Sequence, residues 1–179
     1  MTLRIIGGEL GGRRIASPPA RGTRPTRAAV REAWFSALGA ELPGASVLDL
    51  FAGTGALGIE ALSRGAASAE FIESDARAYR VLRSNLEALA LGERASARRM
   101  DVFRRLADIE VRGFDVGLAD PPYETGAAHR LVDVWLERPF AGILCVEHAP
   151  NELDGFEPAW RRTYGDTELS FFIASEETN

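Results

Sequence analysis

The sequence predicts an α/β fold built on a mostly parallel sheet. Three observations carry that expectation. From residue 46 onward, short apolar runs ("SVLDLF", "SAEFIES", "ASARRMD", "FDVGLAD", "GILCVEHA") alternate with segments of helical period such as "DARAYRVLRSNLEALAL", and such alternation is the mark of parallel strands joined by crossover helices. A glycine-rich stretch, "VLDLFAGTGALGIEAL", joins the first of these strands to a helix. After Pro150, two strand-like runs, "WRRTYG" and "ELSFFIAS", are separated only by "DT", too short for a crossover, so the sheet should close on an antiparallel hairpin. Together they describe a Rossmann-like sheet with an antiparallel C-terminal strand.

Ahead of that sheet, "LRIIGGELGGRRIASPP" places two apolar runs around glycine pairs and reads as a small β-hairpin closed by prolines. "RGTRPTRAAVREAWFSALGAEL" then turns helical, with Thr26 as N-cap and Val30, Trp34, Ala37 and Leu38 on one stripe. The 179 residues suffice for one core and a small appendage. We divide them into residues 1–25, a basic hairpin and loop, and residues 26–179, the sheet domain.

Composition excludes several classes of protein. Hydrophobic residues are 46% and charged residues 26% of the chain, an ordinary globular balance with no run long enough to span a membrane. Arg4, Arg13 and Arg14 are not followed by a secretory h-region, which makes the cytoplasm the expected compartment. Cys145 is the single cysteine and sits in the apolar "GILCVE", as expected of a buried inert thiol. His129 and His148 stand apart, form no metal or triad pattern, and suit surface or sheet-edge positions. No metal site is expected. The net charge of −5 conceals an asymmetry, because residues 1–31 hold seven arginines and one acid, a local +6 on an acidic body. Such an arm suits a polyanion.

Gly53, Gly55 and Gly58 fit the pattern G-x-G-x-x-G, and Glu73 follows Gly53 by twenty positions, so a nicotinamide oxidoreductase is one reading. Electrostatics favour another. Asp49 at the end of the preceding strand would repel a pyrophosphate but attract the ammonium and sulfonium of S-adenosylmethionine, which carries no phosphate. Glu73 is then placed for the ribose hydroxyls and Asp101, at the end of the third strand, for the adenine amine. Ligands of open α/β sheets bind at such strand ends.

The fourth strand ends in "ADPPYE". Pro121 and Pro122 lack backbone N–H groups and hold the chain stiffly extended, which makes a shelf of acceptors without competing donors. The Asp120 carboxylate and the Pro121 carbonyl can each take one hydrogen of an exocyclic amine, aiming its lone pair at a methyl group, while Tyr123 stacks on the ring that bears the amine. Asp120 is a positioner first and a proton acceptor second.

These stretches carry a family resemblance. "DLFAGTGALGIEALSRGA", "FIESD", "ADPPY", "YGDTELSFF", and the opening "RIIGGELGGRRI" with "GTRPTRAAVREAWF" resemble the RsmD family of ribosomal RNA guanine-N2 methyltransferases, from residue 3 to about residue 173. The resemblance implies a class I methyltransferase sheet with an N-terminal hairpin. It also implies S-adenosylmethionine held by Asp49, Phe51, Gly53, Gly55, Glu73, Ser74, Asp101 and Val102, with chemistry at Asp120, Pro121, Pro122 and Tyr123. Small-subunit 16S RNA would be met through Arg4, Arg13, Arg14, Arg21, Arg24 and Arg27, in a partly assembled 30S particle with ribosomal proteins as co-partners. The chain departs from the family at Arg27 and Ala28, where a threonine and an aspartate usually follow "RPT". A DNA or other RNA amine methyltransferase and a non-catalytic RNA-binding module are the remaining alternatives; 179 residues leave a DNA enzyme no room for a target-recognition domain, and an intact amine shelf is superfluous in a pure binder.

Overall fold

A computed structural model describes residues 2–17, 26–123 and 125–175, with residues 26 and 27 described by their backbone alone. The chain opens with the expected hairpin, β1 (Thr2–Arg4) antiparallel to β2 (Arg14–Ala16), with Leu3 opposite Ile15. Pro18 and Pro19, expected to close it, lie outside the described residues. Helix α1 (Thr26–Ala37) follows and takes Thr26 into its first turn rather than leaving it ahead of the helix. Its buried stripe is Val30, Trp34, Phe35 and Leu38, whereas Ala37 is exposed. Phe35, not Ala37, therefore completes the apolar face.

The sheet domain alternates as the sequence predicts: β3 (Ser46–Leu50), α2 (Ala56–Ser63), β4 (Ser68–Glu73), α3 (Ala76–Ala88), β5 (Ala95–Arg99), α4 (Val102–Ala107), β6 (Phe114–Ala119), α5 (Ala127–Glu137) and β7 (Ala141–His148). β8 (Trp160–Tyr164) and β9 (Thr167–Ile173) form the closing hairpin. The strand order is β5-β4-β3-β6-β7-β9-β8, parallel from β5 through β7 and antiparallel beyond it. Strand order reverses between β3 and β6, which opens a crevice at their C-terminal ends.

Each face of the sheet has its own core, because alternate strand residues point to opposite sides. On one face Val47, Phe71, Val116, Leu118 and Cys145 pack against α1, α2 and α3; on the other, Leu48, Leu50, Ile72, Leu144 and Val146 pack against α4 and α5. Ile5 and Ile15 of the hairpin join the first core. The hairpin is also held by polar contacts: Glu60 of α2 accepts from the Ile6 and Gly7 amides at 2.7 and 2.9 Å, and Ser63 accepts from Leu10 at 2.9 Å. A Cβ on Gly8 would fall 1.7 Å from the Ser63 carbonyl oxygen, at φ +75°, so only glycine permits this approach.

Cys145 is buried as expected, and burial pushes its thiol pKa well up. His148 is not at a surface or sheet edge. It is fully buried in β7, with Nδ1 against the Ala149 carbonyl at 2.9 Å and Nε2 against Ser170 Oγ at 2.8 Å, and burial lowers its pKa. β7 is an interior strand because β9 folds back beside it, an order that no local pattern announces. His129 is exposed on α5, 3.0 Å from Asp133. Among the described residues, no helix is long and apolar enough to cross a membrane.

Candidate active site

The site begins where β3 gives way to the glycine loop. Phe51 turns the chain at φ 58°, a left-handed conformation uncommon for an aromatic residue, and Gly53 and Gly55 follow at φ 56° and 86°. The outer side of Gly53 is open, with no atom within 4 Å of where a Cβ would stand. Gly58 serves packing instead: a Cβ there would lie 2.3 Å from the Phe71 ring. Three positions that look alike in sequence thus do two jobs, backbone exposure at Gly53 and helix-on-strand contact at Gly58.

Glu73 ends β4 and bridges the loop to the next helix, accepting from Gly53 N through Oε2 and from Asp75 N through Oε1, both at 2.7 Å. A carboxylate has about four acceptor positions, so two remain for a ligand's hydroxyls. Asp101 caps α4 by accepting from Arg104 N at 3.0 Å and is exposed. Ser74 is exposed beside Glu73, but the Val102 side chain is buried in the core beneath α4. The side chain reaching Phe51 is that of Phe103, edge-on with ring centres 6.3 Å apart, and the Arg130 guanidinium lies 3.8 Å over Phe103.

Asp49 sits under the loop, 1% exposed, with Oδ2 accepting from Gly58 N at 2.8 Å. Burial, opposed by that hydrogen bond and reinforced by Asp120 and Glu73, raises its pKa to about 7. A cation in the crevice would favour its ionised form, whereas an anion would be repelled. This is a stronger constraint than the sequence alone implies, since burial removes the carboxylate from solvent screening.

The proline stretch leaves β6 at the same end. Asp120 is exposed and Pro121 buried; Thr125 Oγ1 donates to the Pro122 carbonyl at 2.7 Å and closes the turn. Tyr123 is half-buried, its hydroxyl donating to Glu147 Oε1 at 3.0 Å and lying 2.8 Å from Thr167 Oγ1. Burial and the facing carboxylates raise its pKa, so it stays a phenol. Sequence reasoning missed Glu147 and Thr167. Glu147 is a fifth acid near the C-terminal end of a parallel strand, "GILCVE", and the rule that selected Glu73 and Asp120 could have found it. Thr167 reads as a turn residue in "GDTEL" but is buried at the start of β9.

On the hairpin, Arg4 and Arg14 face each other across the ladder and Arg13 is exposed beside them; among the described residues none has a carboxylate partner. Like charges opposite one another are unfavourable unless an anion joins them. Arg21 and Arg24 lie outside the described residues, as does the side chain of Arg27. Asn85 ties this hairpin to the cofactor loop, accepting from Ala16 N at 2.8 Å and donating to the carbonyls of Ala16 and Thr54 at 3.0 and 2.9 Å.

Sheet order, open glycine loop and acceptor shelf at the switch point define a class I methyltransferase fold. The family model described as Conserved hypothetical protein 95 matches residues 3–173, and the chain belongs to this family, the RsmD-type methyltransferases. It is 34% identical over 180 residues to the Bacillus subtilis protein named "Putative rRNA methyltransferase YlbH", covering 95% of this chain and 98% of that one. It is 37% identical over 134 residues to the Escherichia coli protein named "Ribosomal RNA small subunit methyltransferase D", covering 74% and 66%. The solved structure titled "Putative methyltransferase yhhF from Escherichia coli" superposes with a TM-score of 0.84 at 30% identity, over 97% of this chain and 98% of that one. Membership of this family sets aside the nicotinamide oxidoreductase reading.

Proposed function

We propose that the protein transfers a methyl group from S-adenosylmethionine to the exocyclic N2 amine of a guanine in small-subunit ribosomal RNA. The observation that carries the reading is the placement of Glu73, Asp49 and Asp120 at the C-terminal ends of the adjacent strands β4, β3 and β6, with the proline shelf on the last. The names of the relatives support ribosomal RNA as the substrate class.

S-adenosylmethionine, when bound, supplies an electrophilic methyl group on a positively charged sulfur. Glu73 is placed to accept from its ribose hydroxyls and Asp101 from its adenine amine, while buried Asp49 favours its positive charge. At the shelf, Asp120 and the Pro121 carbonyl take the two amine hydrogens and turn the nitrogen lone pair out of conjugation with the ring. The pair so aimed would take the methyl group as its bond to sulfur breaks, with the bonding electrons left on sulfur, and Asp120 would pass the surplus proton to water. Positioning supplies most of the acceleration, since the product ammonium is acidic and needs no strong base. The arginines of the hairpin, joined to the loop by Asn85, hold the RNA backbone beside the cofactor. A partly assembled 30S particle with its proteins is the substrate that fits this reading.

The test is mass spectrometry of nucleosides from small-subunit RNA of a strain lacking the gene. Loss of one N2-methylguanosine, restored by the parental gene but not by Asp120→Ala, is expected. An unchanged nucleoside profile would overturn the proposal.

A further inference from the structure

β6 and β7 run parallel, and the last pair of their register is Ala119 opposite Val146, so Asp120 and Glu147 are the residues that follow on the two strands. Both carboxylates act on the Tyr123 hydroxyl and raise its pKa. Alternation puts both on the face shared by Leu118 and Cys145. The Tyr123 hydroxyl reaches Glu147 Oε1 at 3.0 Å, so this carboxylate borders the ring on which a base would stack. Strand β7 therefore adds a second acceptor next to the shelf, at the rim where a stacked base presents its hydrogen-bonding edge.

Guanine differs from the other bases in offering two adjacent kinds of donor on one edge, the N2 amine and the N1–H. The shelf accounts for the amine alone. A buried N1–H without an acceptor would cost as much as the shelf gains. We propose that Glu147 is the specificity-determining residue that accepts the N1–H of the target guanine while Asp120 and Pro121 hold its N2 amine. The inference rests on the reading of the site as a guanine-N2 methyltransferase. Anchoring Tyr123 and accepting N1–H are compatible, because a carboxylate has about four acceptor positions and the Tyr123 and Thr167 contacts both fall on Oε1. Thr167 Oγ1, 3.3 Å from Glu147 Oε1 and 3.1 Å from the His148 carbonyl, holds the carboxylate in place.

The proposal separates guanine from 2-aminopurine, which keeps the amine at C2 but has no hydrogen on N1. Small-subunit particles reconstituted with either base at the methylated position, located first by mass spectrometry, are compared in single turnover. The parent is expected to prefer guanine, and Glu147→Leu to reduce that preference by about ten- to a hundredfold, the worth of one charge-assisted hydrogen bond. Intrinsic differences between the two amines cancel in the comparison of variants. Tyr123→Phe, which removes the anchoring hydroxyl but keeps Glu147, should retain the parental preference. A Glu147→Leu enzyme with the parental preference overturns the proposal, as does a Tyr123→Phe enzyme that loses preference equally. The parent alone also tests it: equal rates on the two bases overturn it whether or not the variants fold. A parent that makes no N2-methylguanosine instead overturns the underlying reading of function.

Discussion

Asp49 and Gly58 are joined by a 2.8 Å hydrogen bond that seals a carboxylate beneath the first turn of α2. The glycine is required there, since a Cβ would stand 3.0 Å from Asp49 Oδ2 and 2.3 Å from the Phe71 ring. The bond holds the acid where water cannot reach it, and its pKa of about 7 follows chiefly from that burial.

Cofactor affinity should therefore depend on pH. Below 7 Asp49 is protonated in the unliganded protein, and a cationic ligand must expel that proton. Affinity for S-adenosylmethionine should fall as the pH drops below 7, approaching a limit of about tenfold per unit. Asp49→Asn should bind more weakly and lose this dependence, as calorimetry at several pH values would show; parallel pH profiles would remove Asp49 from the cofactor site.

The same acid has a stability signature. Its pKa is higher folded than its ordinary 3.8, so the folded state holds the proton more tightly, and stability is lost as pH rises from about 4 to 7. The melting temperature of the parent should drop relative to Asp49→Asn across that window. A difference that is constant with pH would contradict the assignment.

Glu73→Ala should weaken S-adenosylmethionine binding on the order of tenfold or more, because it removes a charged acceptor worth about 1.5–3 kcal/mol. It also releases the Gly53 and Asp75 amides, so some loss of thermal stability should accompany it. Glu73→Gln keeps one of the two acceptor oxygens that the loop uses and turns an NH2 toward the other amide, so it should recover part of the stability and less of the affinity. Equal recovery of both would reduce Glu73 to a structural role.

The hairpin should supply RNA affinity without touching cofactor binding. Replacing Arg4, Arg13 and Arg14 with alanine should flatten the salt dependence of RNA binding by roughly 0.7–0.9 log units for each phosphate that these arginines neutralise. An unchanged slope would make the arm a solvated surface.

Much of the site was legible in the sequence because its parts are local. The left-handed turns at Gly53 and Gly55 and the "DPPY" shelf are each a run of a few residues, and every strand-end acid is read from its own strand. What stayed hidden depends on strand order. Glu147 meets Tyr123 only because β7 lies in register beside β6, and Thr167 reaches both only because β9 inserts between β7 and β8. His148 looked peripheral for the same reason. Asn85 sits inside an ordinary amphipathic helix, and nothing in "SNLEAL" announces its bonds to Ala16 and Thr54. Val102, which follows the strand-end acid Asp101, turns its side chain into the core beneath α4.

The proposed function requires that Asp120 act on the target amine rather than on the cofactor or the fold. The direct measurement is single-turnover methyl transfer from labelled S-adenosylmethionine to isolated small-subunit particles, run beside a cofactor titration of the same samples. Removing one preorganised partner of the reacting group typically costs about a hundredfold or more in rate, so Asp120→Ala should be slower by at least that factor while binding S-adenosylmethionine within a few-fold of the parent. Transfer at the parental rate by Asp120→Ala would contradict this role and leave the two prolines as no more than a turn.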